Sequence, residues 1–420
     1  MDSTGTDNRK SKLEESFIFP YAKTLQNLKY WPSCHVPVVA QANEYVPELC
    51  RVPYDYLFRD DPVAMAECTL LVHEYTGFDV LAANLDIYNF EAESIGAKMR
   101  FFKNHLPDID RSDFFIKDKV DLEKIRFRGL DSGRYGYLLK YQAAYTEYCG
   151  LPISTQICAP WTIACNLFGV DNLLVSIMTE PEFAHELLER IVEDLLAPVI
   201  IALSGVLEGF SKASLADAFA SVPLITNEIA EEYVEKYNDL LSLRLESHGI
   251  KVTSGGYWGV ALMKDEEINR FLDFKIRAGG SLSAQDPDVS SLGLRFFRDY
   301  ATEKGVDLKL GMSSAFLQAA SPIEISEKVK EFVLIGKDGP TSLTFTLNNI
   351  CPHTPPENVH SAVAALRTYG DPYATAKTEF IPPEIESFRD FLIKKIKDNK
   401  AGYTFEWLKK SALSGVHSQL

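Results

Sequence analysis

The sequence predicts an α/β fold, a single closed (β/α)8 barrel, and three observations lead to it. Eight short apolar runs of strand-forming composition are spread along the 420 residues, each is followed by a helix-length amphipathic segment, and most end by switching to polar residues or glycine. Parallel strands joined by helical crossovers need that alternation, and eight of them favour closure over an open sheet.

In order, the runs are residues 37–41, 78–84, 151–156, 213–217, 250–256, 280–285, 306–311 and 342–349. Residues 1–30 read as a polar arm that becomes helical, and residues 31–420 as one barrel domain. An insertion at about 86–150, with the pairs Phe101-Phe102 and Phe114-Phe115, is too long to be structureless and is expected to form a β-hairpin plus helices over the barrel mouth. A second long connection, about 173–205, reads as helical. Internal repeats and low-complexity segments are absent from the sequence.

The C-terminal ends of barrel strands converge on one face, which gathers groups distant in sequence around one pocket. Gln41, Asn84, Gln156, Asp217, Ser254, Gly255, Gly256, Gln285, Asn348 and Asn349 are therefore expected to share a site.

Composition narrows the partners. A net charge of −16 argues against nucleic-acid binding, which needs clustered Lys and Arg to displace counterions. The short basic runs near Lys394 and Lys409 read as a solvated helix face. Seven scattered cysteines, with no Cys-x-x-Cys, fit reduced thiols in the cytoplasm, and no apolar run reaches the ~18 residues of a membrane span. The oligomeric state stays open between monomer and homodimer.

Four motifs in barrel order carry a resemblance. Residues 40–48, Ala-Gln-Ala-Asn-Glu-Tyr-Val-Pro-Glu, are similar to the Arg-Gln-Ala-Gly-Arg-Tyr-Leu-Pro-Glu signature of uroporphyrinogen decarboxylases. Asn84-Leu85-Asp86-Ile87 resembles Phe-Ser-Asp-Ile, and Ala159-Pro160-Trp161-Thr162-Ile163-Ala164 resembles Gly-Pro-Phe-Thr-Leu-Ala. The run from Pro352 to Val359 is similar to the Pro-x-Thr-Pro-x-Glu-Asn that follows the family's last barrel strand. Residues about 35–370 thus resemble the uroporphyrinogen decarboxylase superfamily, which includes cobalamin-dependent methyltransferases.

The departures bear on function. Two arginines of the decarboxylase signature are Ala40 and Glu44 here, which removes bidentate partners for a multiply anionic porphyrinogen and adds repulsion. The decarboxylase histidine after the final strand is Asn348, although Asp86 matches the catalytic aspartate. In the methyltransferase branch a His-x-Cys pair and a later Cys bind a thiol-activating zinc; the matching positions are Thr253, Gly255 and Asn348. The resemblance therefore implies neither a porphyrinogen substrate nor the usual zinc, while a zinc held by Asp, Glu and His in unfamiliar spacing stays open.

What remains is methyl transfer from a small methylated donor, such as an aromatic methyl ether in an O-demethylase reaction, to cobalamin on a partner corrinoid protein. That reaction needs an in-line pocket and one acid for the leaving group. Asp86, Asp217 and Asp288 are the acid candidates, although Asp288 also reads as a helix cap; Tyr45 and Tyr257 are neutral donors. Tyr45, Tyr88, Trp161, Tyr257 and Trp258 are candidate walls for a planar substrate, and His353 follows the last strand on the same face. No Asp-x-His-x-x-Gly stretch supplies a corrinoid ligand, so the cofactor is expected on another chain that docks near the insertion. Two alternatives remain: transfer from a methylcorrinoid to tetrahydrofolate, and a non-catalytic binding protein on the same barrel.

Overall fold

The computed structural model describes residues 36–82, 85–86, 88–150 and 156–415. The arm expected at residues 1–30, Asn84 and residues 151–155 lie outside the described residues. In chain order the strands are β1 Val38–Gln41, β2 Val80–Ala82, β3 Met99–Arg100, β4 Asp108–Ile109, β5 Gln156–Cys158, β6 Lys212–Ala216, β7 Lys251–Gly255, β8 Leu282–Gln285, β9 Leu308–Gly311 and β10 Leu343–Leu347.

All but β3 and β4 are parallel, and they form a distorted barrel from two arcs, β2-β1-β10-β9-β8 and β5-β6-β7. Register is continuous within each arc: Ala40 stands between Leu81 and Leu347, and Leu310 between Ala284 and Phe345. Among the described residues no ladder joins β7 to β8, which leaves a seam in the wall.

The strands alternate. Val38, Ala40, Leu282, Leu308, Leu310, Leu343, Phe345 and Leu347 are buried on the face turned toward the helices, while Ser283, Lys309, Thr344 and Thr346 on the other face are accessible. The helix Pro322–Gly336 shows how the outer layer closes. Ser321 and Glu324 form a reciprocal capping box at its start, and Phe332 packs on Phe345 with ring centroids 5.8 Å apart. Burying each such ring stabilises by about 1.5–3 kcal/mol. At Gly336 a Cβ would meet the methyl ends of Leu343 at 2.8 Å and Leu310 at 3.0 Å, so a larger residue there would make those side chains shift where the helix end settles on the sheet.

Two buried carboxylates tie distant segments to this frame. Asp79 accepts the Val38 N–H at 2.8 Å and two bonds from Arg367 at 2.6 Å, joining β1 to the helix Pro356–Tyr369. Glu67 accepts the backbone N–H groups of Thr404 and Phe405 and the Tyr148 hydroxyl, which holds the C-terminal segment with its buried Trp407 against the barrel.

The insertion forms the β3–β4 antiparallel pair, a short 3-10 turn at Lys119–Lys124 and the helix Tyr135–Cys149. That helix packs against Pro62–Thr76 on the flank of the barrel, not over the mouth as expected; only its N-terminal residue Arg134 reaches inward. Its buried stripe of Tyr135, Leu138, Tyr141 and Tyr145 has helical spacing and needs an apolar partner, which the flank supplies. Among the described residues no disulfide joins the cysteines at 50, 68, 149, 158, 165 and 351. No single helix among the described residues is long and apolar enough to cross a membrane.

Candidate functional site

The inner face of the barrel encloses a cavity of about 260 Å³. Barrel interiors are ordinarily filled by Val, Ile and Leu. Here Gln156, Ser214, Thr253, Ser283, Lys309 and Thr346 face the cavity along the strands, Gln156 at the level of Ser214 and not at the strand end expected for it, and Gln41, Asp217, Asn348 and Asn349 lie at its mouth end. The mid-strand members went unrecognised in the sequence, although Leu343-Thr344-Phe345-Thr346-Leu347 and Leu308-Lys309-Leu310 carry the signal. A parallel strand buried on both faces reads as continuous apolar sequence, and these alternate.

Asp217, the residue after β6, is the most perturbed carboxyl in this cavity. Its Oδ1 accepts the Thr162 hydroxyl at 2.6 Å and the Thr162 N–H at 3.2 Å, whereas Oδ2 is buried with no hydrogen-bond partner among the described residues. Thr162 is placed by the helix Pro160–Phe168, which starts directly after β5 with proline in its first turn. Burial raises the pKa and the two Thr162 bonds lower it; burial wins, and the carboxyl is pushed up to about 7. A carboxyl of that kind holds a proton near neutrality and can release it.

Ser254, near the end of β7, and Tyr257, just beyond it, share a 2.6 Å hydrogen bond, and Asn238 donates to both at 3.3 and 3.4 Å. Burial raises the Tyr257 hydroxyl well above its ordinary value, so it stays a neutral hydroxyl. Trp258 lines the cavity next to it. Gly259, at φ +86°, passes so close to the Val222 carbonyl that a Cβ would lie 2.3 Å from the oxygen. That turn presents the Gly259 and Ala261 N–H groups to the two oxygens of Asp288, which makes Asp288 a loop anchor and not an acid for the cavity. Lys275, from the helix Asp265–Gly279, also lines the cavity, and burial pulls its ammonium down to about 8.

Asp86 occupies a second chamber of about 290 Å³ at the mouth, which shares Tyr88, Ala218 and Asn349 with the lumen. Both oxygens of Asp86 accept from the Arg134 guanidinium, at 3.0 and 2.5 Å, and Arg134 bonds Glu93 at 2.6 Å. Burial opposes the charge on Arg134, yet the two carboxylates raise its pKa above the ordinary value. The free-acid role expected for Asp86 therefore does not fit: both oxygens serve as acceptors in a buried ion pair. Arg111, the other guanidinium at this mouth, is paired with Asp108 at 3.1 Å.

The remaining candidates divide. Gln285 accepts from the Asn348 amide at 3.0 Å and so steadies that cavity residue. Trp161 is fully buried among core residues with Tyr233 as its aromatic neighbour, because the helix begins at Pro160 and turns the indole away from the cavity. Tyr45 and His353 border a separate outer groove, where the exposed His353 pairs with Glu48 at 3.1 Å. Neither faces the lumen, since the chain after β1 and after β10 turns outward before reaching them.

Glu91 escaped the sequence reading. It is buried on the helix Phe90–Ile95, accepts the Cys158 N–H at 3.3 Å with Oε1, and has no hydrogen-bond partner for Oε2 among the described residues; burial pushes its pKa up to about 8. Nothing in the local pattern distinguishes it from the solvated glutamates of other helix starts.

Thr253 and Asn348, which the resemblance matches with Gly255 to a zinc-ligand pattern, converge with it on the lumen. A hydroxyl, an engaged amide and a glycine do not make a zinc site. Among the described residues no group of three or more His, Cys, Asp or Glu is placed to hold a metal ion.

Comparison with known proteins agrees with this architecture. A methyltransferase structure from Methanosarcina mazei superposes with a TM-score of 0.64 at 19% identity, covering 83% of this chain and 98% of that one. The chain is 28% identical over 183 residues to a methylcobamide:CoM methyltransferase of the same organism, covering 42% of this chain and 51% of the relative. It is 26% identical over 197 residues to a methylated-thiol–coenzyme M methyltransferase, also of Methanosarcina mazei, covering 47% and 52%. The matched region thus spans about half the length of each of these curated relatives. Residues 22–369 match the family model for uroporphyrinogen decarboxylase (URO-D), and the chain belongs to that family.

Proposed function

We propose that this chain is the methyltransferase component of a corrinoid-dependent system, moving a methyl group from a small methylated donor to a corrinoid on a partner protein. The observation that carries this reading is Asp217, a buried carboxyl at the cavity wall with a pKa near 7 and one unpartnered oxygen. Loss of a methyl group leaves an electron pair on the donor's oxygen or nitrogen, and a carboxylic acid there can protonate it. Aromatic methyl ethers are the favoured donors, with Trp258 and the neutral Tyr257 forming one wall.

The name of one relative, a methylcobamide:CoM methyltransferase, supports a corrinoid. So does the mouth chamber, whose charged lining is Glu44, Asp86, Asp108 and an already paired Arg111, while Asn43 and Asn349 offer neutral amides. A porphyrinogen bearing several carboxylates would find repulsion there; the amide-fringed rim of a corrin would find partners in those asparagines. When bound, the corrinoid supplies a nucleophilic metal centre as methyl acceptor. The protein's share is to hold the donor in line, keep water out and deliver the proton from Asp217.

The test is to mix purified protein with reduced cobalamin and a panel of methyl ethers and to follow the corrinoid absorbance. A donor-dependent spectral change is expected, and it should vanish in Asp217→Asn. No change with any donor would overturn the proposal; in a second mixture that starts from methylcobalamin, conversion to reduced cobalamin that needs tetrahydrofolate and no ether would reverse the direction of transfer.

A further inference from the structure

We propose that the lumen takes a ligand carrying a carboxylate, and that Lys275 is the residue that receives it. On the reading above this ligand is the methyl donor, a small carboxylated methyl ether.

Lys275 is 2% exposed, and its ammonium has no hydrogen-bond partner among the described residues. Burying an ammonium without a partner is strongly unfavourable, so such a group ordinarily has an anion beside it. The nearest carboxylate by charge coupling is Asp288, whose two oxygens are taken by the N–H groups of Gly259 and Ala261. The face of Trp258, 5.5 Å from the lysine nitrogen, offers a cation–π contact but no charge.

The fold brings this side chain to the cavity. Its helix, Asp265–Gly279, lies in the chain between β7 and β8, which no ladder joins among the described residues, and Lys275 lines the lumen with groups from both. The charge of the lumen runs against that of the molecule. In a chain of net charge −16, the ionisable side chains of known sign along this cavity are Lys212, Lys275, Lys309 and one carboxyl, Asp217. Lys212 and Lys309 lie close enough to repel each other, which together with burial lowers the pKa of Lys309. A cavity of about 260 Å³ lies below the usual range for drug-sized ligands, which points to a small anion. The indole of Trp258 beside the ammonium suits an aromatic ring bearing the carboxylate.

Calorimetric titration tests this without any methyl transfer. The probes are the 2-, 3- and 4-methoxybenzoates, benzoate, and 4-methoxybenzamide as the neutral counterpart of one of them. At least one benzoate is expected to bind, and 4-methoxybenzoate at least tenfold more tightly than the benzamide. Lys275→Met should abolish that preference, and Lys275→Arg should restore part of it, with circular dichroism and urea unfolding confirming that both variants fold. Failure of every carboxylate to bind would overturn the proposal, as would equal binding of acid and amide, or a preference that survives Lys275→Met. Lys275-dependent binding of a carboxylate with no corrinoid spectral change would leave this inference standing and remove the methyltransferase reading; the opposite pair of results would do the reverse.

Discussion

Thr162 donates its hydroxyl to Oδ1 of Asp217 at 2.6 Å and its N–H to the same oxygen at 3.2 Å, which fixes the carboxyl while leaving Oδ2 without a partner among the described residues. A helix start after β5 thereby orients an acid after β6. In the proposed reaction Asp217→Asn should lower kcat by about 10²–10⁴-fold, the usual contribution of a positioned acid. Activity of the wild type should fall as pH rises past about 7, where Asp217 ionises. Thr162→Val removes a bond that favours the ionised form, so that limb should move to higher pH. A pH–rate profile for the three proteins checks all of this, and a profile unchanged by Thr162→Val would separate Asp217 from the chemistry.

Burial raises the carboxyls of Asp217, to about 7, and Glu91, to about 8, so the folded state binds protons that the unfolded chain has already released. Stability should therefore decline between about pH 4 and 8, since the unfolded state binds fewer protons throughout that window. Glu91→Gln should flatten the decline, and at pH 8 it should exceed the wild type by a few kcal/mol, taking about 1.4 kcal/mol per pKa unit. Urea unfolding at pH 5 and pH 8 decides it; parallel losses in both proteins would show that Glu91 ionises freely.

Arg134 bonds two carboxylates, and its loss would leave Asp86 and Glu93 as buried charges without their cation. Arg134→Met should cost about 3–5 kcal/mol, and the double variant with Asp86→Asn should recover part of that loss. Arg134→Lys should fall between wild type and Arg134→Met, since an ammonium cannot reproduce the fork. Chemical denaturation gives the values, and a loss under 1 kcal/mol for Arg134→Met would contradict the clamp.

Substitutions on the two faces of β10 should differ sharply. Phe345→Ala, facing the helix Pro322–Gly336, should cost about 3–5 kcal/mol through the cavity it opens. Thr346→Ser, facing the lumen, should stay within about 0.5–1 kcal/mol. Comparable losses at the two positions, read from thermal or urea unfolding, would mean that the inner face is packed core.

Seven of the eight barrel strands were legible because each is a local pattern, an apolar run that stops at polar residues; the third, expected to stop at Gln156, instead continues from it to Cys158. Asp217 and Asn348 were legible by the same rule, since strand ends meet on one side of a barrel. Lys275 and Arg134 were not: each projects from a helix or its first turn, and what distinguishes it is a neighbour that folding brings across tens of residues. Trp161 and Tyr45 went the other way. Both follow strand ends and both are buried away from the lumen, because the backbone starts a helix within a few residues and reverses the side-chain direction. The insertion reaches the mouth chamber through Leu106, Pro107, Asp108 and Arg111 around its hairpin, while the apolar stripe of its long helix seeks the flank.

The alternation of β8, β9 and β10 separates what holds the molecule together from what the molecule can recognise. Cohesion comes from the annulus between strands and helices, where Leu310, Phe345 and their neighbours lie. Ser283, Thr346 and Lys309 contribute little to it. Their identities can drift with small thermodynamic consequence, so a scaffold of this kind can acquire new ligand preferences by repainting its inner wall while its outer shell stays as it is.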